Sequence, residues 1–128
     1  DWKSLSFQPY FTATAANVGF GYWSHDIGGH YKGISTPEMY TRWIQFGIFS
    51  PIIRTHSSNN PRIERRIWAY PTDYFYAMRE ALHLRYALIP YLYTEARKAY
   101  DTGVSFVRPM YYEFPEAEEA YTFRGQYM

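Results

Sequence analysis

Twice in this chain an apolar run empties into a polar, histidine-bearing loop, and each loop gives way to a stretch with helical spacing. The first run is Val18-Gly19-Phe20-Gly21-Tyr22-Trp23, followed by Ser24-His25-Asp26-Ile27-Gly28-Gly29-His30. The second is Ile48-Phe49 with Ile52-Ile53, followed by Arg54-Thr55-His56-Ser57-Ser58-Asn59-Asn60. Short apolar runs bounded by glycine and polar residues read as buried strands. The resulting order is helix, strand, polar loop, helix, strand, polar loop, long helix, the signature of a parallel α/β sheet or barrel. Both loops leave the carboxyl ends of their strands, where such folds place their sites. Length conflicts with a complete barrel: about two βα units fit in 128 residues, whereas a closed barrel needs eight and typically ~250 residues.

The helices are read from caps and stripes. Leu5, Phe7, Tyr10 and Phe11 suit a short helix over 4–14, with Pro9 tolerable only near its start. Thr36 is the expected N-cap of a second helix, with Pro37 in the first helical position and Glu38 in the first turn. Tyr40, Trp43, Ile44 and Gly47 share one face of it, and Ser50-Pro51 stops it. Residues 61–70 read as a loop. Thr72 is the expected cap of a long helix in which Phe75, Met78, Leu82, Tyr86, Ile89, Tyr93, Ala96 and Tyr100 step by three or four residues. Pro90 should kink or interrupt that helix, and Asp101-Thr102-Gly103 should end it. Residues 104–112 then read as strand, and 116–119 as an acidic turn.

Composition excludes several classes. The chain has no cysteine, which removes disulfide scaffolds and cysteine-ligated zinc. A net charge of +1 gives no reason to expect nucleic acid or an anionic membrane as a partner. No apolar run approaches a membrane span, and no segment repeats at a fixed period. The aromatic share of 22% favours a pocket for a ligand with a flat apolar face. Asp1-Trp2-Lys3-Ser4 offers neither an initiator Met nor a charged lead into an apolar stretch, so the expectation is a chain that begins inside a longer protein.

Asp26 beside Gly28 and Gly29 is a candidate acceptor for substrate hydroxyls or an acid or base; its plainer role is to cap a turn. His56 is either a neutral hydrogen-bond donor to a ligand or a loop residue satisfying a carbonyl. His25, Asp26, His30 and His56 contain metal-ligand types, but His25 and His30 lack helical i, i+4 spacing, and no metal or other cofactor is expected. Arg62, Arg65 and Arg66 form a basic cluster that reads as a solvated loop. No Gly-x-Ser-x-Gly elbow occurs, so serine nucleophile chemistry has no support.

Ser24-His25-Asp26-Ile27-Gly28-Gly29-His30, then Arg42-Trp43-Ile44-Gln45-Phe46-Gly47, Phe49-Ser50-Pro51 and Arg54-Thr55-His56-Ser57-Ser58, resemble glycoside hydrolase family 31. Leu84-Arg85, Ile89-Pro90-Tyr91-Leu92-Tyr93 and Arg108-Pro109-Met110 continue the resemblance in order over essentially the whole chain. That family holds α-glucosidases, α-xylosidases and relatives, built on a (β/α)8 TIM barrel followed by β-sandwich domains. The resemblance implies an α/β chain carrying the last two βα units, with 16–26 as the seventh barrel strand and 48–56 as the eighth. It further implies that 1–103 is the carboxyl-terminal portion of the catalytic barrel and 104–128 the beginning of a β-sandwich domain.

The implied chemistry is retaining hydrolysis of α-glycosides, with two carboxyl groups roughly 5 Å apart. The family's nucleophile lies in a Trp-x-Asp-Met-x-Glu type motif absent here. Its acid/base Asp lies in a Gly-Asp motif that Asp1 does not reproduce, so no catalytic residue is assigned. By resemblance His56 hydrogen-bonds sugar hydroxyls, Asp26 orients the sugar and His56 from the pocket floor, His30 shapes the pocket wall, and Trp23 is a further aromatic candidate. The implied partners are an oligosaccharide or other α-glycoside and the remainder of the parent polypeptide. A same-family lyase or transglycosylase, and a non-catalytic carbohydrate-binding or structural module, remain open at this point.

Overall fold

The computed structural model describes residues 1–30 and 35–126. Helix α1 (Trp2–Ala15) starts earlier than its apolar spacing implies because Asp1 caps it: the carboxylate accepts a hydrogen bond from the Ser4 backbone N–H at 2.7 Å. Pro9 therefore sits inside the helix instead of near its start. The helical backbone continues through a 3-10 turn, Ala16–Val18, and closes on Gly19 in the left-handed region.

That continuation corrects the expected first strand. Val18 is 81% exposed, Phe20 and Tyr22 are also exposed, and no strand forms over 18–23. A parallel ladder is stable when neighbours cover it on both sides. Here, among the described residues, the two segments form an isolated parallel bridge, Ile27 to Thr55, and no ladder. Pairing occurs inside the polar loops, beyond the apolar runs assigned to it.

Helix α2 (Pro37–Gly47) matches its expected caps and face. The Thr36 hydroxyl accepts from the Met39 N–H at 3.3 Å, Pro37 opens the helix, and Tyr40, Trp43, Ile44 and Gly47 are buried. Tyr40, Trp43 and Ile44 form the main core with Ile27, Ile48, Met78 and Ala81. Ile27 lies against the bare backbone of Gly47: a Cβ there would stand 2.2 Å from Ile27 Cδ1. Thus α2 holds the first loop by direct contact.

The long helix divides at Leu88 into α3 (Thr72–Ala87) and α4 (Ile89–Thr102), with Pro90 in the first turn of the second. Gly103, at φ 73, ends α4 as expected. Thr72 is the first helical residue, and Pro71 occupies the cap position without a side-chain bond. The expected apolar stripe is corrected along α4. Tyr93 and Tyr100 are 75% and 83% exposed, whereas Leu92 and Glu95 are buried, because α4 faces Phe106 and Val107 with the adjacent side of the helix.

Residues 104–112 form no strand. They run as irregular chain into a 3-10 turn, Met110–Tyr112, and place Phe106 and Val107 in a second core with Ala13 and Leu92. A short helix α5 (Glu119–Thr122) follows. Arg85 ties α3 to the end of α2, donating to the Ile48 carbonyl at 2.7 Å, to Ser50 O and to Pro51 O at 2.9 Å. Among the described residues no helix is long and apolar enough to cross a membrane.

Candidate functional site

The two loops join in parallel register. Ile27 N donates to Arg54 O at 3.0 Å, His56 N to Ile27 O at 3.3 Å, and Ser58 N to His30 O at 3.1 Å. Ile27 points inward to α2 and is fully buried, which fixes the direction of its neighbours. Asp26 adopts φ 53, a left-handed backbone that Asp tolerates better than most residues. Gly28 and Gly29 follow at φ 93 and 85, closing a tight turn in which Gly29 N donates to Asp26 O at 2.7 Å.

The side chains gather accordingly. The Asp26 carboxylate pairs with the Arg54 guanidinium across the joint. The His30 and His56 imidazoles stack, with centroids 4.4 Å apart and planes 10° from parallel. His30 is exposed, while Asp26 and His56 are half-buried. Trp23 lies apart, its ring edge-on to Phe11 at 5.2 Å and tilted against His25 at 4.6 Å.

His25 points the other way from the joint, into the packing between α1 and α2. It is buried, and neither ring nitrogen has a hydrogen-bond partner among the described residues. Burial lowers its pKa from 6.5 to about 4, against the opposing pull of Asp26, so the imidazole is neutral at pH 7. It lines a cavity of about 230 Å³ with Thr12, Phe46, Phe49 and Val107. Among the described residues, no three His, Asp or Glu side chains gather as a metal site.

Arg65 corrects the reading of its cluster as a solvated loop. Its Nε donates to His56 O at 2.8 Å, and its Nη2 donates to Gly28 O at 2.7 Å and Gly29 O at 3.0 Å. Arg66 keeps the expected exposed role: it binds Glu64, whose carboxyl it holds down to about 2 with help from backbone N–H groups. Neither Arg54 nor Arg65 is separable from a surface arginine by spacing alone. The signal that could have singled out Arg65 is the number of backbone carbonyls a tight Gly-Gly turn leaves without partners.

The two polar loops, joined by a parallel bridge, thus bring two imidazoles and a carboxylate together. Residues 1–95 match the glycosyl hydrolases family 31 TIM-barrel domain, and the chain belongs to that family. It is 37% identical over 121 residues to a probable glucan 1,3-alpha-glucosidase of Oryza sativa subsp. japonica, covering 94% of this chain and 13% of that protein. It is 37% identical over 111 residues to an alpha-xylosidase of Emericella nidulans, covering 87% of this chain and 14% of the relative. The fold superposes with a TM-score of 0.82, at 30% identity, on the crystal structure of a GH31 alpha-xylosidase from a soil metagenome complexed with xylose, covering 94% of this chain and 21% of that one. The chain thus spans a small part of the length of these relatives.

Proposed function

We propose that this chain is the carboxyl-terminal part of the catalytic barrel of a retaining α-glycosidase acting on α-linked glucosides or xylosides, and that it supplies one side of the sugar pocket. The observation that carries this reading is the joint itself, where His30, His56 and Asp26 project from two loops locked in register. Imidazole nitrogens form hydrogen bonds of the kind that sugar hydroxyls offer. The Asp26 side chain, paired with Arg54 across the joint, is placed to orient ligand and neighbours. Trp23, held by Phe11 and His25, supports the first loop in this reading.

The two reacting carboxyls then belong to chain preceding Asp1, one attacking the anomeric carbon and the other protonating the leaving oxygen and afterwards activating water. Residues 1–103 are assigned to the barrel and 104–128 to the entry into a β-sandwich domain, the division falling where Gly103 ends α4.

The test is the intact protein with 4-nitrophenyl α-D-glucoside and α-D-xyloside, the anomer of the first-formed sugar being read by proton NMR. Release of the α-anomer supports the reading. A β-anomer first product, an unsaturated product, or no turnover of either glycoside would sink it. The isolated chain should release no 4-nitrophenol, and turnover by it would contradict the placement of the reacting carboxyls outside it.

A further inference from the structure

We propose that Arg65 is a positioning residue that sets the width of the sugar pocket by bracing its two loops. The inference rests on the glycosidase reading for its functional consequence and on the geometry of Arg65 for its structural one.

One planar guanidinium reaches both loops: Nε to the His56 carbonyl, and Nη2 to the carbonyls of Gly28 and Gly29. These acceptors flank the two segments that carry His30 and His56. Fixing their carbonyls fixes the separation from which the imidazole stack is built. A guanidinium presents its donors in a rigid fork, whereas an ammonium is a single point charge and cannot span the same acceptors.

The chain makes room for this brace. A Cβ on Gly28 would stand 2.5 Å from Arg65 Nε and 2.6 Å from Cζ, so the glycine is required by the arginine as well as by its own φ of 93. The brace is itself held from behind. The Tyr40 hydroxyl donates to the Arg65 carbonyl at 2.7 Å, and the guanidinium lies 5.3 Å from the centroid of the Tyr40 ring. Tyr40 is fully buried in α2 and stacks on Tyr70, whose hydroxyl donates to Glu64 O at 2.9 Å. Helix α2 therefore anchors the arginine that fastens the loops on either side of that helix.

The experiment compares Arg65→Ala, Arg65→Lys and Arg66→Ala in the intact protein, using 4-nitrophenyl α-D-glucoside and α-D-xyloside. Loss of the fork should raise KM on the order of tenfold, with a smaller fall in kcat. Guanidinium ion added at millimolar levels should restore much of the KM of Arg65→Ala. Arg66→Ala, which removes only the bond to Glu64, should leave KM unchanged. The crystal structure of Arg65→Ala should show the His30–His56 stack opened. Where Arg65→Ala does not fold, Arg65→Lys carries both comparisons. A folded variant at position 65 that keeps the parent KM, or whose crystal structure keeps the stack, overturns the proposal. Absence of turnover by the parent protein would overturn the glycosidase reading instead, and the crystal comparison would then decide the part played by Arg65.

Discussion

The His30 and His56 rings lie 4.4 Å apart and nearly parallel, one from each loop, so neither imidazole keeps its place independently of the other. In the intact protein His56→Ala should lower kcat/KM by about tenfold to a hundredfold, the effect of leaving a buried hydroxyl partner unpaired. His30→Phe, which keeps a ring over His56, should lose much less than His30→Ala. Steady-state kinetics on both glycosides check this, and an unchanged kcat/KM for His56→Ala removes His56 from the site.

Acid should weaken the fold through His25. Its folded pKa of about 4 lies below the ordinary 6.5, so between those values the unfolded chain binds the extra proton and stability falls as pH falls. The contribution is complete above pH 6.5 and lost by about pH 4, with an upper bound of about 3 kcal/mol. Denaturant unfolding of the intact protein from pH 7 to pH 4 should therefore show a shallower decline for His25→Phe than for the parent. Parallel declines would remove His25 as the cause.

Gly47→Ala should destabilise, although helix propensity alone would favour it by about 1 kcal/mol. The added methyl would collide with Ile27 Cδ1, which has no exposed side to move toward. Overpacking costs about 1–3 kcal/mol, so the net expectation is a small loss of stability together with a disturbed first loop. Urea unfolding measures the sign, and a more stable variant would refute the tight contact.

Two arginines of similar appearance should behave differently on truncation. Arg97 pairs with Asp101 one helical turn away with both side chains exposed, and its replacement by Ala should cost no more than about 0.5 kcal/mol. Arg108 is mostly buried, donates to Glu113 at 2.7 Å and stands 3.7 Å from the buried Glu95 carboxylate. Its loss should cost about 1–3 kcal/mol, because among the described residues Glu95 would keep the exposed Lys98 alone as its counter-charge. Chemical denaturation of both variants separates the cases.

Helix α2 was legible because its signals are local: the Thr36 hydroxyl, Pro37 and the Tyr40, Trp43, Ile44 stripe are all decided within a few turns. The break at Pro90 and the stop at Gly103 were legible for the same reason. Strand pairing was not, since it depends on partners distant in sequence, and Ile27 finds Thr55 inside segments that read as loops. Asp26, His30 and His56 were reached through the order of motifs, a likeness to a family. Arg65 escaped because its charge resembles that of Arg62 and Arg66, and only the fold brings the carbonyls of Gly28, Gly29 and His56 to it.

The bonds from Arg65 to the two loops end on main-chain oxygens, which every amino acid supplies. The fastening is therefore indifferent to the side chains it carries at positions 30 and 56. Exchanging the side chains at those two positions therefore leaves every acceptor of the fastening in place. The arginine reads backbone rather than side chain, so the two loops stay fastened whatever sequence they carry there.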